Sequence, residues 1–203
     1  MFAGKELYMD RGRPDAKMYF VAVVLPATLN EKIHVYKKQM QEHYGCKVGL
    51  KSPAHITLAP PFWMEGANES ALQQDLQKLA QQVAPFPLTT NDFSAFRPRT
   101  IFVAVRESSA LQAVKKTADA FFRHSAYGMK IENRPFHPHI TIATRDLHKK
   151  DFAEAWPFFQ QEIFRESFDA AGLSLLKHNG RNWDVVFTAP FAAPLPADVA
   201  RQP

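Results

Sequence analysis

The chain repeats itself. Phe20-Val21-Ala22-Val23 recurs as Phe102-Val103-Ala104-Val105, and His55-Ile56-Thr57 recurs as His139-Ile140-Thr141. His55 follows Phe20 by 35 residues and His139 follows Phe102 by 37. Order and spacing agree as well as letters, so the sequence reads as two copies of one unit: strand, helix, HIT strand, helix. If the copies pack about a pseudo-twofold axis, two otherwise distant HIT strands face each other across a cleft.

The rest of the pattern supports this division. KMYFVAVVLP (17–26) is β-branched and aromatic, the signature of a buried strand. Residues 28–44 place Leu29, Ile33, Tyr36, Met40 and Tyr44 on one helical face, and Gly45 stops the helix. A short strand over 55–58 is expected to close at Pro60 and Pro61. A helix over 70–84 carries Leu72, Leu76, Leu79 and Val83, ending at Pro85. The order then recurs: a strand over 100–105, a helix over 109–124 and a strand over 139–142. A helical stretch follows over 151–168, split or restarted by Pro157. Residues 172–176 and 183–188 suggest a closing hairpin around His178-Asn179-Gly180. The expected organisation is an N-terminal arm (1–16), one duplicated body (17–190, with repeats over about 17–84 and 96–170 plus closing strands) and a C-terminal tail (191–203).

Composition narrows the class. With 203 residues, 46% hydrophobic and 22% charged, the chain can bury a full core. Its single cysteine, Cys46, excludes an internal disulfide framework and cysteine-rich zinc modules. Twenty-five Lys and Arg against 20 Asp and Glu give a net charge of +5, which suits a phosphate-bearing partner without requiring one. No apolar run reaches the length of a membrane span, and the first residues lack the apolar core of a secretory leader. The expectation is a cytoplasmic protein with no membrane association, no obligate protein partner and a monomeric state.

The HIT strands carry the chemistry. Side chains alternate along a strand, so His55 shares a face with Thr57, and His139 with Thr141, while the Ile and Leu neighbours face the core. Imidazole titrates near pH 6.5, so one histidine can take a proton from a nucleophile while the other gives one to a leaving group. Threonine hydroxyls can donate to phosphate oxygens. Acid and base on opposite sides of a phosphorus centre, with donors between them, suit in-line displacement without a metal. Glycine-rich phosphate loops, nucleophile elbows and acidic metal clusters find no match in the sequence.

These motifs resemble the 2H phosphoesterase superfamily, within it the 2′-5′ RNA ligase-like and RNA 2′,3′-cyclic phosphodiesterase branch. The resemblance rests on PAHITLAPPF (53–62), FHPHITIATR (136–145), PRTIFVAV (98–105) and LLKHNGRNWDVV (175–186), and spans about 17–190. It implies an α+β, bilobal duplicated fold: two antiparallel sheets with outer helices around a central cleft with pseudo-twofold symmetry. It also implies cofactor-free opening of a 2′,3′-cyclic phosphate, at an RNA end or on a small nucleotide, to a 2′-phosphate. His55, Thr57, His139 and Thr141 would be the catalytic set, and analogy leans to His139 as base and His55 as acid. The closing segment departs from the family, with Lys177, His178 and Trp183 where Ser and Tyr are common. Two other readings remain: a nucleotide- or RNA-binding module without catalysis, and 2′-5′ phosphodiester cleavage or ligation.

Other residues are candidates for holding substrate. Arg145 keeps the parity of the His139 face if the strand is regular. Arg99, in the Phe96-Arg97-Pro98-Arg99 turn, stands at a strand entrance that lies near the cleft in relatives. Trp183 and Phe62 are placed to stack a base. The pair His137/His139 could ligate a metal, but no nearby acid or cysteine completes a set, so no metal site is expected. The lysine pairs 37–38, 115–116 and 149–150 read as exposed faces.

Overall fold

The computed structural model describes residues 15–131 and 134–192. Its elements run β1 (Ala16–Val24), α1 (Ala27–Tyr44), β2 (His55–Glu65), α2 (Glu69–Ala80), β3 (Phe86–Phe96), β4 (Thr100–Val105), α3 (Ser109–His124), β5 (His139–Ala143), α4 (Lys149–Phe159), β6 (Ser167–Ala170), β7 (Gly172–His178) and β8 (Trp183–Pro190). The strands form one antiparallel array in the order β6-β3-β4-β5-β2-β1-β7-β8. Read outward from its centre, each half presents the HIT strand, then the FVAV strand, then two more. This is the bilobal α+β architecture that the resemblance implies, with the two expected sheets joined into one array of eight strands. The lobes join where β2 meets β5, in register at Ile56 and Ile140.

Among the described residues, one face of this array is covered and the other is bare. Leu29 and Ile33 of α1, Leu72 and Leu76 of α2, Leu111 and Phe122 of α3, and Phe152 and Phe159 of α4 share a core with Tyr19, Val21, Val23, Ile56, Ile101, Val103, Ile140 and Ile142. Each fully buried aliphatic side chain contributes roughly 1.5–3 kcal/mol. The alternate residues Phe20 and Ala22 join Leu176 in a small separate cluster, with Val24 and Trp183 against it. All four helices therefore lie on one side, leaving the histidine face open. Among the described residues no helix is long and apolar enough to cross a membrane.

The helices follow their stripes and caps. Gly45 ends α1 in the left-handed conformation (φ 69°), its N–H donating to Gln41 O at 2.9 Å. Ser108 caps α3 by accepting from Leu111 N at 3.3 Å.

Several expectations are corrected. β2 does not close at the prolines but continues to Glu65. Its register against β1 slips between Tyr19↔Phe62 and Val21↔Ala59, so Pro60 and Pro61 fall at an irregularity, and beyond Ile56 no partner on the β5 side needs their N–H groups. The helix expected over 151–168 stops at Phe159, with Pro157 in its last turn. The chain then returns along β3, an unforeseen strand whose Thr-Thr-Asn-Asp run looks like a loop. Those polar groups are satisfied by that return: Thr90 Oγ1 donates to Phe164 O at 2.8 Å, and Arg165 grips Asp92 through Nε and Nη2 at 3.0 and 2.7 Å. α2 ends at Ala80 rather than 84. The Val83 carbonyl instead accepts from Ala192 N at 2.8 Å, and Phe191 packs on Phe86 at 5.7 Å. Most of the expected arm and tail lies outside the described residues. Lys37 is not on an exposed face: it is 3% exposed, whereas Lys38 is exposed.

A short 3-10 turn, Gly49–Lys51, packs under the end of β5. A Cβ on Gly49 would stand 2.1 Å from Ile142 O, with no flexible atom to yield. Gly49→Ala is therefore expected to destabilise the protein by about 1–3 kcal/mol through overpacking. A denaturant midpoint unchanged from the parent would contradict this packing.

Candidate active site

The β2–β5 junction brings the two motifs together. With Ile56 and Ile140 facing the helices, strand alternation turns His55, Thr57, His139 and Thr141 to the bare face. His55 sits beside Val24 and Thr57 beside Ala22, while His139 sits beside Ala104 and Thr141 beside Phe102. The repeats match to the level of ring contacts: Phe20 lies 4.8 Å from the His55 ring, and Phe102 lies 4.9 Å from that of His139. Phe96 stands edge-on to His139 at 5.1 Å.

The same hydrogen bond orients both imidazoles. His55 Nδ1 is 2.7 Å from Pro53 O, and His139 Nδ1 is 2.7 Å from His137 O. A carbonyl only accepts, so each Nδ1 carries a proton, and the neutral ring keeps its free lone pair on Nε2. Protonation of either ring then adds a donor at Nε2, the nitrogen not tied to the backbone. The Thr57 and Thr141 hydroxyls have no protein partner among the described residues.

Burial makes both rings hard to protonate. It drives the His55 pKa down to about 4; the Pro53 hydrogen bond opposes that shift, while the charges of Lys37 and His139 add to it. His139 is also lowered, by burial first and by His137 as well, against the pull of the His137 carbonyl bond. The His139 charge also bears on His55, so the two rings stand within electrostatic reach of each other.

A cavity of about 410 Å³ opens beside this centre, lined among others by Thr57, Phe96, Lys115, Arg134, Phe136 and His139. The other candidates are placed unequally. Trp183 lies on the bare face, edge-on to Phe20 at 4.8 Å. Phe62 does not reach the cleft: it is 5% exposed, packs on Phe122 at 5.6 Å and pairs with Tyr19 on the helix side, the face it shares with Ile56 by strand alternation. Arg99 is exposed in the β3–β4 turn and is not among the cavity-lining residues; its neighbour Arg97 lies over the Trp156 ring at 5.4 Å. The parity argument for Arg145 does not apply, since β5 ends at Ala143 and Arg145 has φ 23°. It stands instead where its charge bears on His178.

Lys37 had no signal beyond its place in a helical stripe. Burial lowers its pKa to about 8, and its Nζ donates to Ser52 O at 3.1 Å. Ser52 adjoins Pro53, whose carbonyl holds His55. The buried ammonium thus both secures the loop that orients His55 and opposes that ring's protonation.

Paired HxT strands on the open face of a duplicated antiparallel array define a two-histidine phosphoesterase. The chain belongs to the 2′-5′ RNA ligase superfamily, whose model matches residues 26–182. It is 25% identical over 173 residues to a protein of Oceanobacillus iheyensis named as a phosphoesterase, covering 84% of this chain and 95% of that one. It is 24% identical over 153 residues to the RNA 2′,3′-cyclic phosphodiesterase of Bacillus subtilis, covering 71% of this chain and 80% of that one. A crystal structure of E. coli LigT complexed with 3′-AMP shares the fold, with a TM-score of 0.61 at 22% identity over 87% of this chain and 98% of that one.

Removing the buried charge tests its hold on the site. Lys37→Met is expected to raise the His55 pKa, because the lost ammonium had opposed the imidazolium. Histidine NMR titration reads this directly. A His55 midpoint that stays in place or falls would show that Lys37 has no such influence.

Proposed function

We propose that this protein hydrolyses 2′,3′-cyclic phosphates at RNA ends, giving a 2′-phosphate and a free 3′-hydroxyl. The observation that carries this reading is the pair of identically oriented imidazoles, each tied at Nδ1 and free at Nε2, beside two unpartnered threonine hydroxyls. The relatives named as phosphodiesterases support the substrate class.

Water attacks phosphorus in line with the P–O3′ bond. In the arrangement the resemblance favours, His139 Nε2 takes the water proton as the new P–O bond forms. Protonated His55 gives its Nε2 proton to O3′ as that bond breaks. One water is consumed, and exchange with solvent returns the two rings to their starting states. Thr57 and Thr141 donate to the non-bridging oxygens where charge accumulates. The low intrinsic pKa of His55 makes its protonated form a strong donor, and the bound phosphate anion holds that proton in place until transfer. These four side chains supply acid, base and oxyanion donors, so the reaction needs no metal. The cavity beside His139 suits the terminal base: Phe96 is 45% exposed at its mouth, and stacking on an aromatic ring is worth roughly 1–3 kcal/mol.

His55→Ala and His139→Ala are each expected to lower kcat on a 2′,3′-cyclic-phosphate oligonucleotide by about 10²–10⁴-fold. The parent should keep turning over in chelator. Near-parental turnover in either variant, with folding confirmed by circular dichroism, would overturn the paired scheme.

The titration behaviour adds a signed expectation. The free protein needs His55 protonated, and that form is lost as pH rises above its depressed pKa. The kcat/KM profile should therefore fall with rising pH through neutrality. The kcat profile should fall at higher pH, because bound phosphate raises the pKa of the imidazole facing it. A kcat/KM that climbs from pH 6 to 8 would rule out His55 as the acid.

A further inference from the structure

Beyond the histidine pair, the bare face of the first lobe carries a line of rings. His55 meets Phe20 at 4.8 Å, Phe20 meets Trp183 at 4.8 Å, and Trp183 meets His178 at 4.9 Å. The β7–β8 pairing sets His178 directly opposite Trp183. Its ring is engaged differently from the other two. His178 Nδ1 accepts from Gly180 N at 3.2 Å, so the neutral ring carries its proton on Nε2. Nε2 is then a donor in both protonation states, which suits holding an anion and does not suit a general base.

Two further cations, Lys51 and Arg145, stand on interlocked segments within electrostatic reach of His178. Asp146 Oδ2 accepts from the backbone N–H groups of Lys47 and Val48 at 2.5 and 2.8 Å, tying the loop before Lys51 to the loop that carries Arg145. Gly49 packs directly on Ile142 O, which draws Lys51 to the same end of β5. Burial first, and then the charges of Lys51 and Arg145, lower the His178 pKa, while Asp184 raises it. Asp184 is held by Asn179 Nδ2 at 2.8 Å. Neither Lys51 nor Arg145 has an ion pair or hydrogen bond to another described residue. Arg145 also sits at φ 23°, a conformation L residues rarely adopt. Asp184 is the acid that acts on His178, while Lys51 and Arg145 have no ion pair of their own, which leaves positive charge for an anion to meet. Lys177, the neighbour of His178, points to the other face and is spent on Glu69 at 2.7 Å.

We infer that Lys51, Arg145 and His178 form a subsite for a second substrate phosphate, the one on the 5′ carbon of the terminal nucleoside. This rests on the proposed cleavage of a cyclic phosphate at the histidine pair. It deepens that reading by requiring a ligand with two phosphates: either an RNA end, whose 5′ phosphate is a diester, or a nucleotide with a free 5′-phosphate. The cavity holding the base lies on the second-lobe side, so the substrate would cross the cleft with its base toward Phe96 and its chain toward His178.

Two measurements test this. The first compares kcat/KM for adenosine 2′,3′-cyclic phosphate, the same compound with a 5′-phosphate, and a diadenosine ending in the cyclic phosphate. The parent should prefer both two-phosphate substrates, and His178→Ala should reduce that preference about tenfold, the worth of one charge-assisted hydrogen bond. His178→Gln, which keeps a side-chain donor, should retain part of it. Preference for the diadenosine alone would identify an RNA chain as the ligand; equal preference would identify the phosphate itself. The second measures calorimetric binding of adenosine 3′,5′-bisphosphate against 3′-AMP, which does not depend on turnover. If no cyclic phosphate is cleaved yet the bisphosphate binds more tightly and loses that advantage in His178→Ala, the subsite stands and the hydrolytic reading falls. If substrate preference and bisphosphate advantage are both the same in parent and folded His178→Ala, the subsite is overturned.

Discussion

Everything at the centre of this protein depends on one strand pairing between the lobes. β2 and β5 meet in register at Ile56 and Ile140, and these side chains, each 0% exposed, belong to the common core. Their burial fixes which way both strands face. A one-residue slip of either strand would send its histidine and threonine into the apolar layer and its isoleucine into water. The hydrophobic effect at two positions thus aims four polar side chains at once. The main chain completes the aim, because the carbonyl two residues before each histidine sets its tautomer.

That pairing explains why so much was visible in the letters. A buried strand face is written as alternation, and His-Ile-Thr followed by Leu or Ile spells it twice. Helix stripes such as Leu72 and Leu76, and stops such as Gly45, depend on neighbours in the chain and were readable for that reason. What escaped depends on neighbours in space. β3 conceals itself in Thr89-Thr90-Asn91-Asp92, whose hydrogen bonds are met by residues more than 70 positions away. Lys37 looks like any helix lysine until α1 packs against the loop beneath His55. Arg145 could be assigned to the cleft only by extending a strand that ends two residues earlier.

The duplication sets the geometry of the paired histidines and then departs from itself. Phe20 and Phe102 are equivalent residues under equivalent histidines. Beyond them the lobes differ: Phe96, Phe136 and Arg134 line the cavity beside His139, while the first lobe sets Trp183 against Phe20 and His178 against Trp183. A symmetric pair of lobes could bind a phosphate but could not tell one end of a nucleotide from the other. The proposed acid–base chemistry draws on the matching halves at the axis, whereas orientation of an asymmetric ligand would draw on the unlike rims.

The distribution of electrostatic compensation points the same way. Away from the cleft, charges are matched: Arg165 with Asp92, Lys177 with Glu69, Lys32 with Glu166, Lys78 with Asp75. Around the ends of the HIT strands they are not. Lys37 is buried with only the Ser52 carbonyl for company, and Lys51 and Arg145 bear on His178 without an ion pair of their own among the described residues. A chain able to neutralise its charges elsewhere leaves these groups uncompensated in one place, where stability is given up for readiness to receive a ligand. The missing partner has the opposite sign and several acceptor oxygens, which is the chemistry of a phosphate. The anion would therefore serve the folded protein as well as the reaction, supplying the counter-charge that the sequence withholds.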